Sequence, residues 1–157
     1  MNNSKVKLGG IFYPSIDSMG RPVKFDSLYI PDIFKEIYFE GVYVDIFNNK
    51  KDMTIIDVGA NSGLVTRYMR DYAKQIYAIE PSTEHYTALV KNKEFNKWDN
   101  VKTFKMAIAN QDGEMVLNLN TQNRTCHSLV LGSNEGGEAV KTQTFATFMK
   151  ENKIEEV

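Results

Sequence analysis

The residues best suited to chemistry lie in two short stretches, Asp57-Val58-Gly59-Ala60-Asn61-Ser62-Gly63 and Ile79-Glu80-Pro81-Ser82. Each ends an apolar run in or near a carboxylate and follows it with residues that turn the chain. Gly59 and Gly63 permit a sharp turn and close approach of a ligand, because neither carries a Cβ. Glu80 follows Asp57 by 23 residues, near the spacing of about 20 at which an acid meets ribose hydroxyls in nucleotide-binding βαβ units. A carboxylate suits that task, since its two oxygens can accept from two vicinal hydroxyls. The dinucleotide fingerprint G-x-G-x-x-G is broken here. Asn61 stands at the second glycine, and the last glycine falls one residue early at Gly63, leaving Leu64 in its place. That spacing argues against an NAD-type oxidoreductase, whose glycines serve a pyrophosphate.

Positioning these residues requires alternating strands and helices. Thr54 to Val58 is a short β-branched run of the kind covered on both faces of a sheet. Leu64, Val65, Tyr68, Met69 and Tyr72 fall at helical spacing. Gln75 to Pro81 reads as a second buried strand ending at Glu80, and Ser82 is placed to cap a helix with Tyr86, Leu89 and Val90 on its inner face. Val101 to Ile108 is expected as a third strand. Asn110-Gln111-Asp112-Gly113 has hairpin-turn composition, and Glu114 to Asn120 alternates as a strand. A polar loop over 118–128, a strand over 138–144 and a short helix through Phe145, Phe148 and Met149 complete the order. Upstream, strands are expected near 10–13 and 23–25, a helix over 31–40, broken at Gly41, and a further helical turn from Tyr43 to Phe47. The sequence predicts an α/β fold with a mainly parallel sheet.

The pattern D-x-G-x-N-x-G over Asp57 to Gly63 resembles the first motif of class I S-adenosylmethionine (SAM) methyltransferases, and its wording resembles the FkbM-type family in particular. The similarity runs from about Ile37 to Val157. It implies a Rossmann-like sheet with flanking helices and an added β-hairpin, with residues 1–50 preceding a partial SAM-binding domain over 51–157. By resemblance, Asp57 orients the amino group of the methionine moiety, and the backbone of Gly59, Ala60, Asn61, Ser62 and Gly63 packs on its aliphatic part. Glu80, with Pro81 and Ser82, takes the ribose, and Ala107 walls the adenine slot. Glu40 and Tyr43 match a Glu and a Tyr that precede the motif in the family. Tyr43 could line the methionine end or be a packing tyrosine. The implied reaction is O-methylation of a hydroxylated small molecule or sugar, with no catalytic base that can be named.

The family's pattern continues into a fourth core strand that pairs with the strand carrying Asp57, so the resemblance implies that the C-terminal half of the sheet is missing here. The expectation is that a second copy of the chain, in a symmetric dimer, covers that strand's edge. The alternative is an inactive half-domain that binds SAM weakly or only assembles with another chain. His85 is expected at the surface or the adenine edge. Cys126 and His127 lie together but lack a third ligand, so no metal site is expected.

Composition narrows the classes further. Of 157 residues, 42% are hydrophobic and 25% charged, as in an ordinary globular domain. Nineteen basic and twenty acidic side chains give a net charge of -1, without the basic bias expected of a nucleic-acid binder. One cysteine permits no internal disulfide. Neither a secretory leader nor a membrane span is read from the sequence, so the cytoplasm is the expected setting.

Overall fold

A computed structural model describes residues 5–8, 11–14, 36–37, 40–47, 50–118, 128–130 and 137–157. Strands β1 (Lys5–Leu8) and β2 (Ile11–Pro14) pair antiparallel by themselves. Helix α1 (Val44–Phe47) then leads to the element order β3 (Met53–Val58), α2 (Leu64–Met69), β4 (Ala73–Ile79), α3 (Thr83–Phe95) and β5 (Val101–Phe104). These three strands form a parallel sheet in the order β3-β4-β5. The result is a Rossmann-like βαβαβ unit. The chain then builds a second sheet from β6 (Ala107–Ile108), β7 (Gly113–Asn118), β8 (Ser128–Val130) and β9 (Glu138–Gln143), and ends in helix α4 (Phe145–Glu151).

Alternation along β4 divides the core in two, as the period of a strand requires. Ile76 and Ala78 face one side, with Phe47, Met69, Leu89 and Trp98. Tyr77 and Ile79 face the other, with Met106, Phe148 and Ile154. Helices α1 to α3 therefore cover one face of the sheet and α4 the other, which explains why β4 is apolar without interruption from Ile76 to Ile79. The Phe148 ring meets Phe104 and Tyr77 edge-on, at centroid distances of 5.1 and 6.2 Å. Full burial of a phenylalanine contributes about 1.5–3 kcal/mol, so Phe148 anchors α4 and the strand before it. Asp112 caps α4 from outside, accepting the Thr144 N–H at 2.6 Å and the Thr147 hydroxyl at 2.8 Å.

Two expectations are corrected. The span 101–108 is two strands in two sheets, because the chain turns at Lys105 and buries Met106 against Phe148's side of the core. The turn at 110–113 does not close a hairpin. Its flanking strands β6 and β7 both pair with β9, which lies between them, in the order β6-β9-β7-β8. β7 runs antiparallel to both of its neighbours, β9 and β8, and Leu117 sits opposite Leu129 of β8. Lys5–Leu8 is an unforeseen strand. The strand expected near 23–25, most of the 31–40 helix and the Cys126–His127 pair lie outside the described residues. Among the described residues no helix is long and apolar enough to cross a membrane.

Candidate functional site

The turn after β3 is held by the strand beside it. The N–H groups of Gly59 and Ala60 both donate to Ile79 O at 2.9 Å, and Gly63 N–H donates to Ala60 O at 2.8 Å. Gly59 and Gly63 have φ of +81° and +88°, where a side chain is strained. Asn61 also takes φ +51°. An asparagine tolerates this conformation because its side chain bonds locally: Oδ1 accepts the Ser62 N–H at 2.7 Å.

Glu80, at the end of β4, ties this turn to α3. Its Oε2 accepts the Asn61 N–H at 2.8 Å and its Oε1 accepts the Ser82 N–H at 2.9 Å. The residue is 4% exposed. Burial pushes its carboxyl above the usual range; the two backbone N–H groups pull it down, and the charges of Asp57 and Glu138 push it up again. Ser82 Oγ faces the His85 N–H at 3.5 Å, the expected cap of α3. His85 is itself buried, with Nδ1 3.9 Å from Glu80 Oε1.

Gly59, Asn61, Glu80, Pro81 and Ala107 come together along one cleft of about 290 Å³ at the C-terminal ends of β3 and β4. This is the end of a parallel sheet at which such folds take ligands. Its far wall is apolar, built from Ile108, Leu117 and Leu129 of the second sheet. Among the described residues lining it there is no lysine or arginine. The nearby Lys105 is engaged instead with Glu138 at 3.0 Å, and Glu138 accepts from the N–H of Thr83 at 3.0 Å and from its hydroxyl. That cluster fastens β9 to the start of α3 and keeps the two sheets on either side of the cleft.

Six other residues of the expected site do not line this cleft. Ala60 is buried in the core against Leu89 and Trp98's cluster. Ser62 is 3% exposed, and its hydroxyl has no partner among the described residues. Gly63 serves packing: a Cβ there would stand 2.6 Å from Leu89 Cδ1 and 3.0 Å from Trp98 Cζ3. Tyr43 lies in an aromatic cluster, its ring 6.2 Å from that of Tyr68. Asp57 accepts the Thr66 hydroxyl at 2.5 Å, and burial raises its carboxyl while this bond lowers it. Ser82, also outside the lining, reaches Glu80 through its backbone.

Sequence reasoning missed Asn92. It is 2% exposed on α3, and its Nδ2 donates to Ser62 O at 2.8 Å, so a helix interior amide closes the back of the turn. A polar residue on the inner face of a helix was the available signal. His85, expected at the surface or the adenine edge, is not at the surface: it is buried beside Glu80 and lines the same cleft as Ala107. Among the described residues no group of three His, Cys, Asp or Glu is arranged to hold a metal.

The sequence matches no family model, and no curated protein matches it. Solved structures share the fold in part. Methyltransferase FkbM from Methylobacillus flagellatus KT is 9% identical with a TM-score of 0.46, over 73% of this chain and 26% of that one. Precorrin-6y C5,15-methyltransferase from Geobacter metallireducens GS-15 is 21% identical with a TM-score of 0.43, over 58% and 47%. The tRNA (m1A58) methyltransferase TrmI from Aquifex aeolicus is 19% identical with a TM-score of 0.41, over 67% and 50%. The chain thus spans half or less of the length of each.

Proposed function

We propose that this chain carries the SAM-binding part of a methyltransferase resembling the FkbM type, acting on a hydroxyl of a small molecule or sugar. The observation that carries the reading is Glu80. A buried carboxylate is costly, and this one is fixed by two backbone N–H groups while still lining a cleft. Each of its oxygens retains a lone pair for a ribose hydroxyl. SAM fits the rest of the lining. The apolar wall of Ala107, Ile108 and Leu117 suits a planar base, and the bare backbone at Gly59 and Asn61 suits the aliphatic part of methionine. Bound there, SAM would supply an electrophilic methyl group on a sulfonium. Asp57, one turn of chain away, is the group to orient its amino nitrogen. A dinucleotide fits poorly, because its phosphates would enter beside Glu80 without a cationic side chain among the described residues of the lining.

Calorimetry of the purified chain with SAM, S-adenosylhomocysteine and NADH tests this. Micromolar binding of the first two, with none for NADH, supports the proposal. NADH binding alone would replace it with the oxidoreductase reading. A cytoplasmic setting, where the lone cysteine stays reduced, accompanies the proposal.

A second reading has its own observation. Among the described residues β3 bonds only to β4, which leaves a row of N–H and C=O groups able to pair with another strand. Homodimerisation through that edge, with or without SAM binding, is the assembly it supports. Light scattering of the chain across a concentration series separates dimer from monomer.

A further inference from the structure

Thr66 is the third residue of α2 and is completely buried. A helical threonine commonly turns its hydroxyl back on a carbonyl of its own helix. This one donates instead to Asp57 Oδ2 on β3, at 2.5 Å. The bond joins the strand before the Gly59–Gly63 turn to the helix after it, so it spans the whole turn. A contact that short from a hydroxyl to a carboxylate is of the strong, charge-assisted kind. It takes one carboxylate oxygen and leaves Oδ1 for a donor from outside the pair. The charges of Asp57 and Glu80 oppose each other. Burial raises the Asp57 carboxyl, and the Thr66 hydroxyl lowers it. Threonine is stiff at χ1, so the hydroxyl fixes where Oδ2 can stand.

We propose that Thr66 is a positioning residue for ligand binding: by holding Asp57 Oδ2, it presents Oδ1 to the ammonium at the ligand's amino-acid end. This rests on the SAM-binding reading above, with Asp57 as the partner of the amino nitrogen. Valine in place of Thr66 keeps the branched shape and removes the donor. The Asp57 carboxylate then turns more freely and takes up a proton more readily. Either change weakens its hold on a cation, while the adenosine end of the ligand meets the same surface as before.

The test is calorimetry of the wild-type chain, Thr66→Val and Thr66→Ser with two ligands. One is S-adenosylhomocysteine; the other is 5′-methylthioadenosine, which shares its adenosine and sulfur but has no amino-acid end. The wild type should bind S-adenosylhomocysteine the more tightly, and Thr66→Val should lose about 10-fold of that preference. Its affinity for 5′-methylthioadenosine should stay that of the wild type, and Thr66→Ser, which keeps the hydroxyl, should retain the preference. Equal losses for both ligands in Thr66→Val would make Thr66 a packing residue and overturn the proposal. An unchanged preference in Thr66→Val, or a serine variant as impaired as the valine one, also overturns it. A wild type that binds the two ligands equally overturns it too, and leaves the nucleoside part of the SAM-binding reading standing. No binding of S-adenosylhomocysteine to the wild type overturns both. If Thr66→Val does not fold, Thr66→Cys, whose thiol is only a weak donor, takes its place with the same outcomes.

Discussion

The backbone N–H of Asn61 donates to Glu80 Oε2 at 2.8 Å, across 19 positions of chain. One carboxylate therefore shapes the turn after β3 and, through its other oxygen, the start of α3. On the proposed function, ligand binding and local order share a residue. Replacing Glu80 by Ala should leave two N–H groups without acceptors and cost on the order of 1–3 kcal/mol of stability, read by urea unfolding. The same variant should lose S-adenosylhomocysteine affinity by a comparable amount in calorimetry. Unchanged affinity with reduced stability would assign Glu80 to the fold alone.

The two positive-φ glycines of the turn after β3, Gly59 and Gly63, separate cleanly by what surrounds them. At Gly59 an added Cβ meets nothing within 4 Å, whereas at Gly63 it meets Leu89 and Trp98. Gly59→Ala should cost only the conformational strain, about 1–2 kcal/mol. Gly63→Ala should add an overpacking penalty of about 1–3 kcal/mol to that. Denaturant unfolding of both variants checks the order, and Leu89→Ala placed in the Gly63→Ala background should recover part of the extra loss. Equal destabilisation at the two sites would mean that α2 and α3 do not pack as closely as described.

The parts of this protein that were legible in the sequence are those governed by local rules. The strand-turn-helix at Thr54 to Met69, the cap at Ser82 and helix α4 follow from periodicity, β-branching and a side-chain oxygen in the right place. What local rules do not carry is which strands pair. Asn110 to Gly113 has the composition of a hairpin turn, yet β9 takes the place between β6 and β7 because Val140 and Thr142 bury there. The candidate site divides in the same way. Glu80 and Gly59 were visible from spacing, but Leu129 reaches the cleft only by pairing with Leu117. Gly63 was read as ligand-facing because a glycine in a turn looks the same whether a ligand or a neighbouring helix needs the space.

Asn92 offers a test of how far the back of the turn controls its front. Its Nδ2 is bonded to Ser62 O at 2.8 Å inside the protein, and the side chain has almost no contact with water. Asn92→Ala should cost about 1–3 kcal/mol by leaving that carbonyl unpaired in the interior. It should also weaken S-adenosylhomocysteine binding, since Ser62 adjoins Asn61 and its bond to Glu80. Asn92→Leu, which fills the space without supplying a donor, should be no better. A variant that is destabilised but binds normally would show that the front of the turn keeps its shape without the Asn92 bond.

Asp57 predicts a dependence on pH whose sign is opposite to that of a stabilising ion pair. Burial, partly offset by the Thr66 hydroxyl, raises its carboxyl above the ordinary 3.8. Between the ordinary and the raised value the folded chain holds more protons than the unfolded one, so this group's contribution to stability falls as pH rises through that window. Asp57→Asn cannot ionise, and its amide oxygen still accepts from Thr66. The stability of Asp57→Asn relative to wild type should therefore grow between about pH 4 and about pH 7. Urea unfolding across that range measures it, and a flat difference would rule out a burial penalty at Asp57. A carboxylate kept where it weakens the fold is retained for another reason. Calorimetry on the same variant supplies that reason if it is more stable at neutral pH and yet binds S-adenosylhomocysteine less tightly, since the charge lost is the one that would hold the ligand's amino group.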